Sequence, residues 1–185
     1  LSQFLDRKIH VIYNPVRDVY CDKSIKKDNL FLYVGRANDP NKRFSLVKES
    51  LAKIKNGENK ITICGEENPS FGNYLGYVSN KKLNELYNST KYLLLPSKYE
   101  GIGLPMIEAM ICGSLPIACL DNETAKEFLP RDFMCEPNGD SIVKLIEELD
   151  KNYKIKQELA FKLSDKYKEQ FNKTSIAKNI LSIIK

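Results

Sequence analysis

YLLLPSKYEGIGLPMIEAMICGSLPIACL, residues 92–120, reads as a strand, a glycine-rich loop, a helix and a second strand in immediate succession. YLLLP (92–96) and LPIACL (115–120) are short apolar runs without polar alternation, the pattern of strands covered on both faces. The helix between them, 104–112, is apolar everywhere except Glu108, so it leaves no face for water and must be buried nearly all round. Glycines at 101, 103 and 113 bracket it. Pro105 suits the first helical turn, where its missing N–H costs nothing.

The same alternation runs through the rest of the chain. HVIYN (10–14) reads as a strand stopped by Asn14-Pro15, and a charged linker leads to the continuous apolar strand NLFLYVG (29–35). RFSLVKESLAKIKNG is helical, with Phe44, Val47, Leu51 and Ile54 on one face and Gly57 as its stop. KITICG (60–65) and GNYLGYVS (72–79) read as strands, NKKLNELYNS as a helix, and DFMCEP (132–137) as a last strand after a short helix around 123–129. Helical patterns near 140–151, 153–168 and 174–184 complete the chain. Five β-α units with such apolar strands predict a Rossmann-like three-layer α/β/α domain with a mostly parallel sheet. Three regions are expected: an opening strand and linker (1–28), the α/β domain (29–152), and C-terminal helices packed on it (153–185).

Composition narrows the function classes. At 185 residues, 42% apolar and 29% charged, the chain can bury one substantial core. LSQFLDRK at the start has no basic head followed by an apolar run, so it does not read as a signal peptide. The five cysteines form no C-x-x-C pair and four of them sit in apolar segments, which predicts reduced core thiols and a cytoplasmic protein. The net charge of +5, without an aromatic-basic motif, argues against nucleic acid. It leaves open anionic small molecules, or a peripheral contact with an acidic membrane surface.

In parallel sheets ligands bind outside the carboxyl ends of the strands, so the residues after each strand carry the chemistry. NLFLYV is followed by GRANDPNKR, in which Gly35 frees the backbone, Arg36 stands at the strand end and Lys42 lies at the next helix start. YLLLP is followed by SKYEGIGLP, where Gly101 and Gly103 let main-chain N–H groups approach a ligand. A helix start with freed amides is an anion site, and with two cations nearby it can hold a diphosphate. Glu108, one turn inside that helix, is then the wrong charge for phosphate but suits ribose hydroxyls, while Glu100 on the loop can accept hydroxyls of a sugar. Read alone, Glu108 also suits the positive end of a helix dipole, and Glu100, Arg36 and Lys42 suit solvated surface. No D-x-D pair offers a divalent-metal clamp, so no metal is expected. A response-regulator reading would need aspartates clustered at strand ends, where Gly35-Arg36 and Pro96-Ser97 stand instead.

Taken together, E-G-I-G-L-P-M-I-E-A-M-I-C-G resembles the Glu-x7-Glu signature of family 4 retaining glycosyltransferases, which have the GT-B fold. V-G-R-A-N-D-P-N-K, L-G-Y-V-S, V-I-Y-N-P-V and E-P-N-G-D resemble further segments of that family, so the likeness covers roughly residues 9–150. It implies the C-terminal, donor-binding half of such an enzyme, taking a nucleotide-diphosphate sugar as co-substrate and transferring its hexose with retention of configuration. By that resemblance Arg36 and Lys42 bind the diphosphate, while Gly35 and the main chain of Gly101, Ile102, Gly103 and Leu104 line phosphate and sugar. Glu100 meets the transferred sugar, Glu108 the ribose, and Tyr77 and Val78 the base. It also implies an N-terminal acceptor-binding domain, on the same native chain or a partner, to which the last helix reaches back. In the family that domain supplies a catalytic histidine; the single histidine here, His10, lies in the expected first strand and reads as structural or surface. A nucleotide-sugar epimerase half and a non-catalytic nucleotide-sugar-binding module are the alternatives.

Overall fold

The structure, a computed structural model, describes residues 9–184. Six strands form the sheet: β1 (Asn29–Val34), β2 (Ile61–Cys64), β3 (Asn73–Gly76), β4 (Thr90–Leu95), β5 (Leu115–Cys119) and β6 (Met134–Cys135). They pair in the order β3-β2-β1-β4-β5-β6, every pair parallel. Among the described residues seven helices cover it: α1 (Phe44–Ala52), α2 (Asn80–Ser89), α3 (Leu104–Ile111), α4 (Glu123–Phe128), α5 (Gly139–Lys151), α6 (Tyr153–Gln170) and α7 (Lys173–Ile184). This is the expected Rossmann-like α/β domain.

The order of the strands positions the site. The chain steps outward from β1 to β3, then returns past β1 to β4 and steps the other way. Right-handed crossovers then place α1 on one face of the sheet and α2 and α3 on the other. The contacts agree: α1 packs with α5, and α3 packs with α2 and α6. Strands β2 and β5 are buried at every residue, and Phe31, Leu32, Tyr33, Leu93 and Leu94 fill the centre. Removing each such side chain from water contributes about 1.5–3 kcal/mol, which is why the strands needed no polar alternation.

One expected strand is absent. HVIYN forms none: Val11 is 74% exposed, and residues 9–16 run past the sheet without pairing. An apolar run becomes a strand only where an edge accepts it, and Pro15 has no N–H to donate. Tyr13 instead lays its ring edge-on to Phe128 and Phe171, at 5.8 and 5.2 Å, and its hydroxyl bonds to Glu127. His10 lies exposed on this segment. The expected strand at 132–137 shrinks to the two residues of β6 after a 3-10 turn, Arg131–Phe133, and α1 ends at Ala52, before Gly57. The stretch LSQFLDRK lies outside the described residues.

The linker that follows is tied across the α2–α3 face. Its Val16 N–H donates to the Phe171 carbonyl at 3.0 Å, and Tyr20 is buried. Asn84 and Asn88 of α2 hold the backbone of Cys21 and Lys23. The Lys27 ammonium donates to the Cys112 and Tyr87 carbonyls at 2.6 and 3.1 Å, meeting the open ends of α3 and α2.

Candidate active site at the reversal of strand order

Where adjacent strands β1 and β4 send their connections to opposite faces, a crevice opens at their carboxyl ends. The loop leaving β1 reaches α1 through a 3-10 turn, Pro40–Lys42, whose N-cap Asp39 accepts the Asn41 N–H at 2.9 Å. The loop leaving β4 ends at Gly103. Asn41 stitches the two together. Its amide donates to the Tyr99 carbonyl, and its side-chain and backbone oxygens accept the N–H groups of Tyr99 and Lys98, each at 2.9 Å. Lys42 completes the junction, with Nζ at 2.8 and 2.9 Å from the two carboxylate oxygens of Glu100. Both side chains are mostly buried, 18% and 10% exposed. Arg36 is different: its guanidinium bonds Asp39 at 2.7 Å but is 63% exposed at the mouth of the crevice.

The end of β5 braces the same loop. Arg43 grips Asp121 through two bonds of 2.8 and 2.6 Å, holding that carboxyl below its ordinary range. Asn122 caps α4 and donates to the Ser97 carbonyl at 2.9 Å, and the Thr124 hydroxyl donates to the Glu100 carbonyl at 2.7 Å. Glu100 is therefore fixed by its carboxylate from the β1 side and by its backbone from the β5 side.

The start of α3 is bare. Its N-cap, Gly103, is left-handed (φ 67°), and no side chain caps the helix. A Cβ at Gly103 would lie 2.2 Å from the Met106 methyl, whereas a Cβ at Gly101 would meet nothing within 4 Å. The first-turn N–H groups, together with the positive end of the helix dipole, thus face a loop whose backbone is open at Gly101. Beside it a cavity of about 210 Å³ opens between the ends of β1 and β2, lined by Val34, Gly35, Arg36, Cys64, Gly65 and Val78, with Tyr77 80% exposed on its rim. A larger concavity, about 720 Å³, runs along the unpaired edge of β6 against α5. It mixes Lys144 and Lys156 with Asp132 and Glu148 and, unlike the crevice, has no freed helix start.

Glu108 lies one turn inside α3 and is 3% exposed. The Tyr87 hydroxyl donates to its Oε2 at 3.3 Å, and Arg17 of the linker holds its Nη1 3.9 Å from Oε1. The Tyr20 hydroxyl faces the same carboxylate, buried and without a hydrogen-bond partner. Burial pushes the Glu108 carboxyl up to about 7; Arg17 and the two tyrosines pull it down, by less.

The structure thus gathers Arg36, Lys42, Glu100 and the Gly101–Leu104 backbone at the crevice. Gly35, Tyr77 and Val78 share the cavity, and Glu108 sits inside α3 under the linker. Sequence reading passed over Asn41, Arg43, Asp121, Asn122, Thr124 and Arg17. These act across strand ends or from the linker, so local sequence carries no signal of their partners.

A glycine-freed helix start with paired basic and acidic side chains stands at the reversal point of a doubly wound α/β sheet, an arrangement chemically suited to an anionic ligand. The chain belongs to the glycosyl transferases group 1 family, whose pattern matches residues 22–173. It is 29% identical over 161 residues to the O-antigen chain mannosyltransferase RfbU of Salmonella typhimurium, covering 77% of this chain and 45% of that protein. A 46-residue stretch is 50% identical to O-antigen chain mannosyltransferase B of Escherichia coli. The chain spans less than half the length of the curated relatives it matches. Among solved structures it resembles sucrose-phosphate synthase of Thermosynechococcus elongatus, with a TM-score of 0.72 at 20% identity over 93% of this chain and 49% of that one. Anabaena HepE in complex with UDP and glucose gives a TM-score of 0.72 at 15% identity over 85% of this chain and 48% of that one. At those identities the likeness shows the fold, that of GT-B glycosyltransferase neighbours.

Proposed function

We propose that this chain is the donor-binding, C-terminal half of a family 4 GT-B glycosyltransferase, which binds a nucleotide-diphosphate sugar and transfers its hexose with retention of configuration. The observation that carries this reading is the junction at the crevice: Lys42 bonded to Glu100 beside the bare start of α3, with Arg36 at its mouth. The diphosphate would lie on the α3 amides between Arg36 and Lys42, which offset its charge as it leaves with the nucleotide. Glu100 would accept hydroxyls of the sugar, Glu108 those of the ribose, and the cavity beside Val78 would take the base, with Tyr77 against it. Because these cations already offset the charge, no divalent metal is required. Relatives named as mannosyltransferases make mannose the first sugar to test. The free cysteines, four of them buried, suit the cytoplasm, and the net charge of +5 suits peripheral contact with an acidic membrane surface.

Calorimetric titration with UDP, GDP and ADP, then with GDP-mannose and UDP-glucose, tests the proposal. One diphosphate series should bind, equally well with EDTA or Mg²⁺ present. Arg36→Ala should weaken the diphosphate far more than the nucleoside, by about 1.5–3 kcal/mol for a lost charge-assisted bond. Absence of binding by all five compounds, or binding only with metal, would contradict it.

A further inference from the structure

The linker does more than join. Of residues 16–27, Arg17 is the one that places a charge on the buried carboxylate of α3. It does so from outside: the Arg17 side chain is 60% exposed, and the Glu108 side chain it faces is 4% exposed. Among the described residues the one hydrogen bond received by the Glu108 carboxylate comes from Tyr87, at the long distance of 3.3 Å. A carboxylate so little exposed and with so few donors keeps its charge only if a cation compensates it.

We propose that Arg17 is a positioning residue of the donor site, holding Glu108 as an ionised, oriented carboxylate that can accept two ribose hydroxyls. The inference rests on the reading of Glu108 as the ribose contact. A protonated Glu108 offers a donor where the ribose also offers donors, so the competent fraction of the protein is the ionised fraction. The groups facing Glu108 are Tyr87 from α2, Arg17 and Tyr20 from the linker, and Cys112 one turn on along α3. Burial pushes the Tyr20 hydroxyl and the Cys112 thiol up to about 12 and holds the Tyr87 hydroxyl well above its ordinary range, so all three stay protonated near neutrality. Lys27, bonded to the Cys112 carbonyl, is lowered to about 8 by burial, so its titration lies above the midpoint near 7. Near pH 7, Glu108 is the group that changes, and Arg17 is the lever on it.

The experiment is titration of the 185-residue chain with GDP and UDP, and with their 2′-deoxy counterparts, between pH 5.5 and 9, for wild type, Arg17→Gln, Arg17→Lys and Glu108→Gln. Wild-type affinity for the ribonucleotide should fall about tenfold per pH unit below a midpoint near 7. Arg17→Gln should move that midpoint up by about half a pH unit or more while leaving Kd at pH 9 within about twofold. Arg17→Lys should restore most of the original midpoint, and Glu108→Gln should abolish the pH dependence. An unchanged midpoint in Arg17→Gln, or equal weakening at every pH, overturns the role of Arg17 and leaves the donor site standing. Equal affinity of wild type for ribose and deoxyribose nucleotides, or no effect of Glu108→Gln, overturns the ribose reading and this inference with it.

Discussion

At Glu108 the protein places an acid where burial opposes its charge, lifting the carboxyl from the usual 4.5 to about 7. The folded state therefore holds a proton that the unfolded chain releases. Stability from this group is fully present below about pH 4.5 and declines as the pH rises through 7. Glu108→Gln should match wild type in melting temperature near pH 5 and exceed it by pH 8. The gain is bounded at about 3 kcal/mol, since a tenfold difference in proton affinity between folded and unfolded chain is worth about 1.4 kcal/mol. Thermal unfolding across that range decides it; a variant less stable than wild type at pH 8 would show that the carboxylate is satisfied by its neighbours. The burial of this residue was legible in sequence, because a lone acid in an otherwise apolar helix has nowhere else to go. Its partners were not, since Tyr87 and Arg17 lie 21 and 91 residues away in sequence and meet it only once α2 and the linker dock.

Among the elements, the buried strands and amphipathic helices followed from periodicity, and the run HVIYN did not become a strand because no sheet edge received it. The loops are where sequence was weakest. Glycines marked the start of α3, but nothing local in the sequence tells that Asn41 bonds the β4 loop or that Arg43 reaches Asp121, because such pairs depend on strand order. The two loop glycines predict opposite behaviour. Gly103 is left-handed and a Cβ there strikes Met106, so Gly103→Ala should lower stability by about 1–2 kcal/mol. Gly101 has open space where a Cβ would go, so Gly101→Ala should leave the melting temperature unchanged. If the donor phosphate packs on that backbone, the same methyl should weaken nucleotide binding at least several-fold. Parallel unfolding and titration of the two variants separates a structural glycine from a ligand-facing one. Unchanged affinity in Gly101→Ala would move the donor off this loop.

On the scale of the whole molecule, every residue placed at the site would, in the proposed reading, address the donor: phosphate, ribose, base and transferred sugar. Transfer also needs an acceptor hydroxyl held in line with the anomeric carbon, where proximity and orientation supply much of the rate. Among the described residues no second set of side chains converges on the open side of the crevice, and Arg36 at its mouth is 63% exposed. In the proposed reading an acceptor-binding domain would close over that side, excluding water as it met this one. Apolar side chains stand ready at both ends of the described chain, with Val11 74% and Ile184 75% exposed. The 185-residue chain by itself should therefore bind the sugar nucleotide but release free sugar only slowly, with the donor left in water. Adding the acceptor-binding domain, fused ahead of this chain or supplied separately, should bring transfer. In that complete enzyme Glu100→Ala and Lys42→Ala should each remove most of the activity. Each also leaves its mostly buried partner uncompensated, so unfolding must be measured beside turnover; a broken buried pair is worth about 3–5 kcal/mol. A Lys42→Arg variant keeps the charge while changing its shape, and partial recovery there would assign the loss to phosphate binding rather than to folding. Radiolabelled sugar followed into acceptor and into hydrolysed product gives both rates in one assay. Full transfer by residues 1–185 alone would mean that the acceptor site lies within this domain.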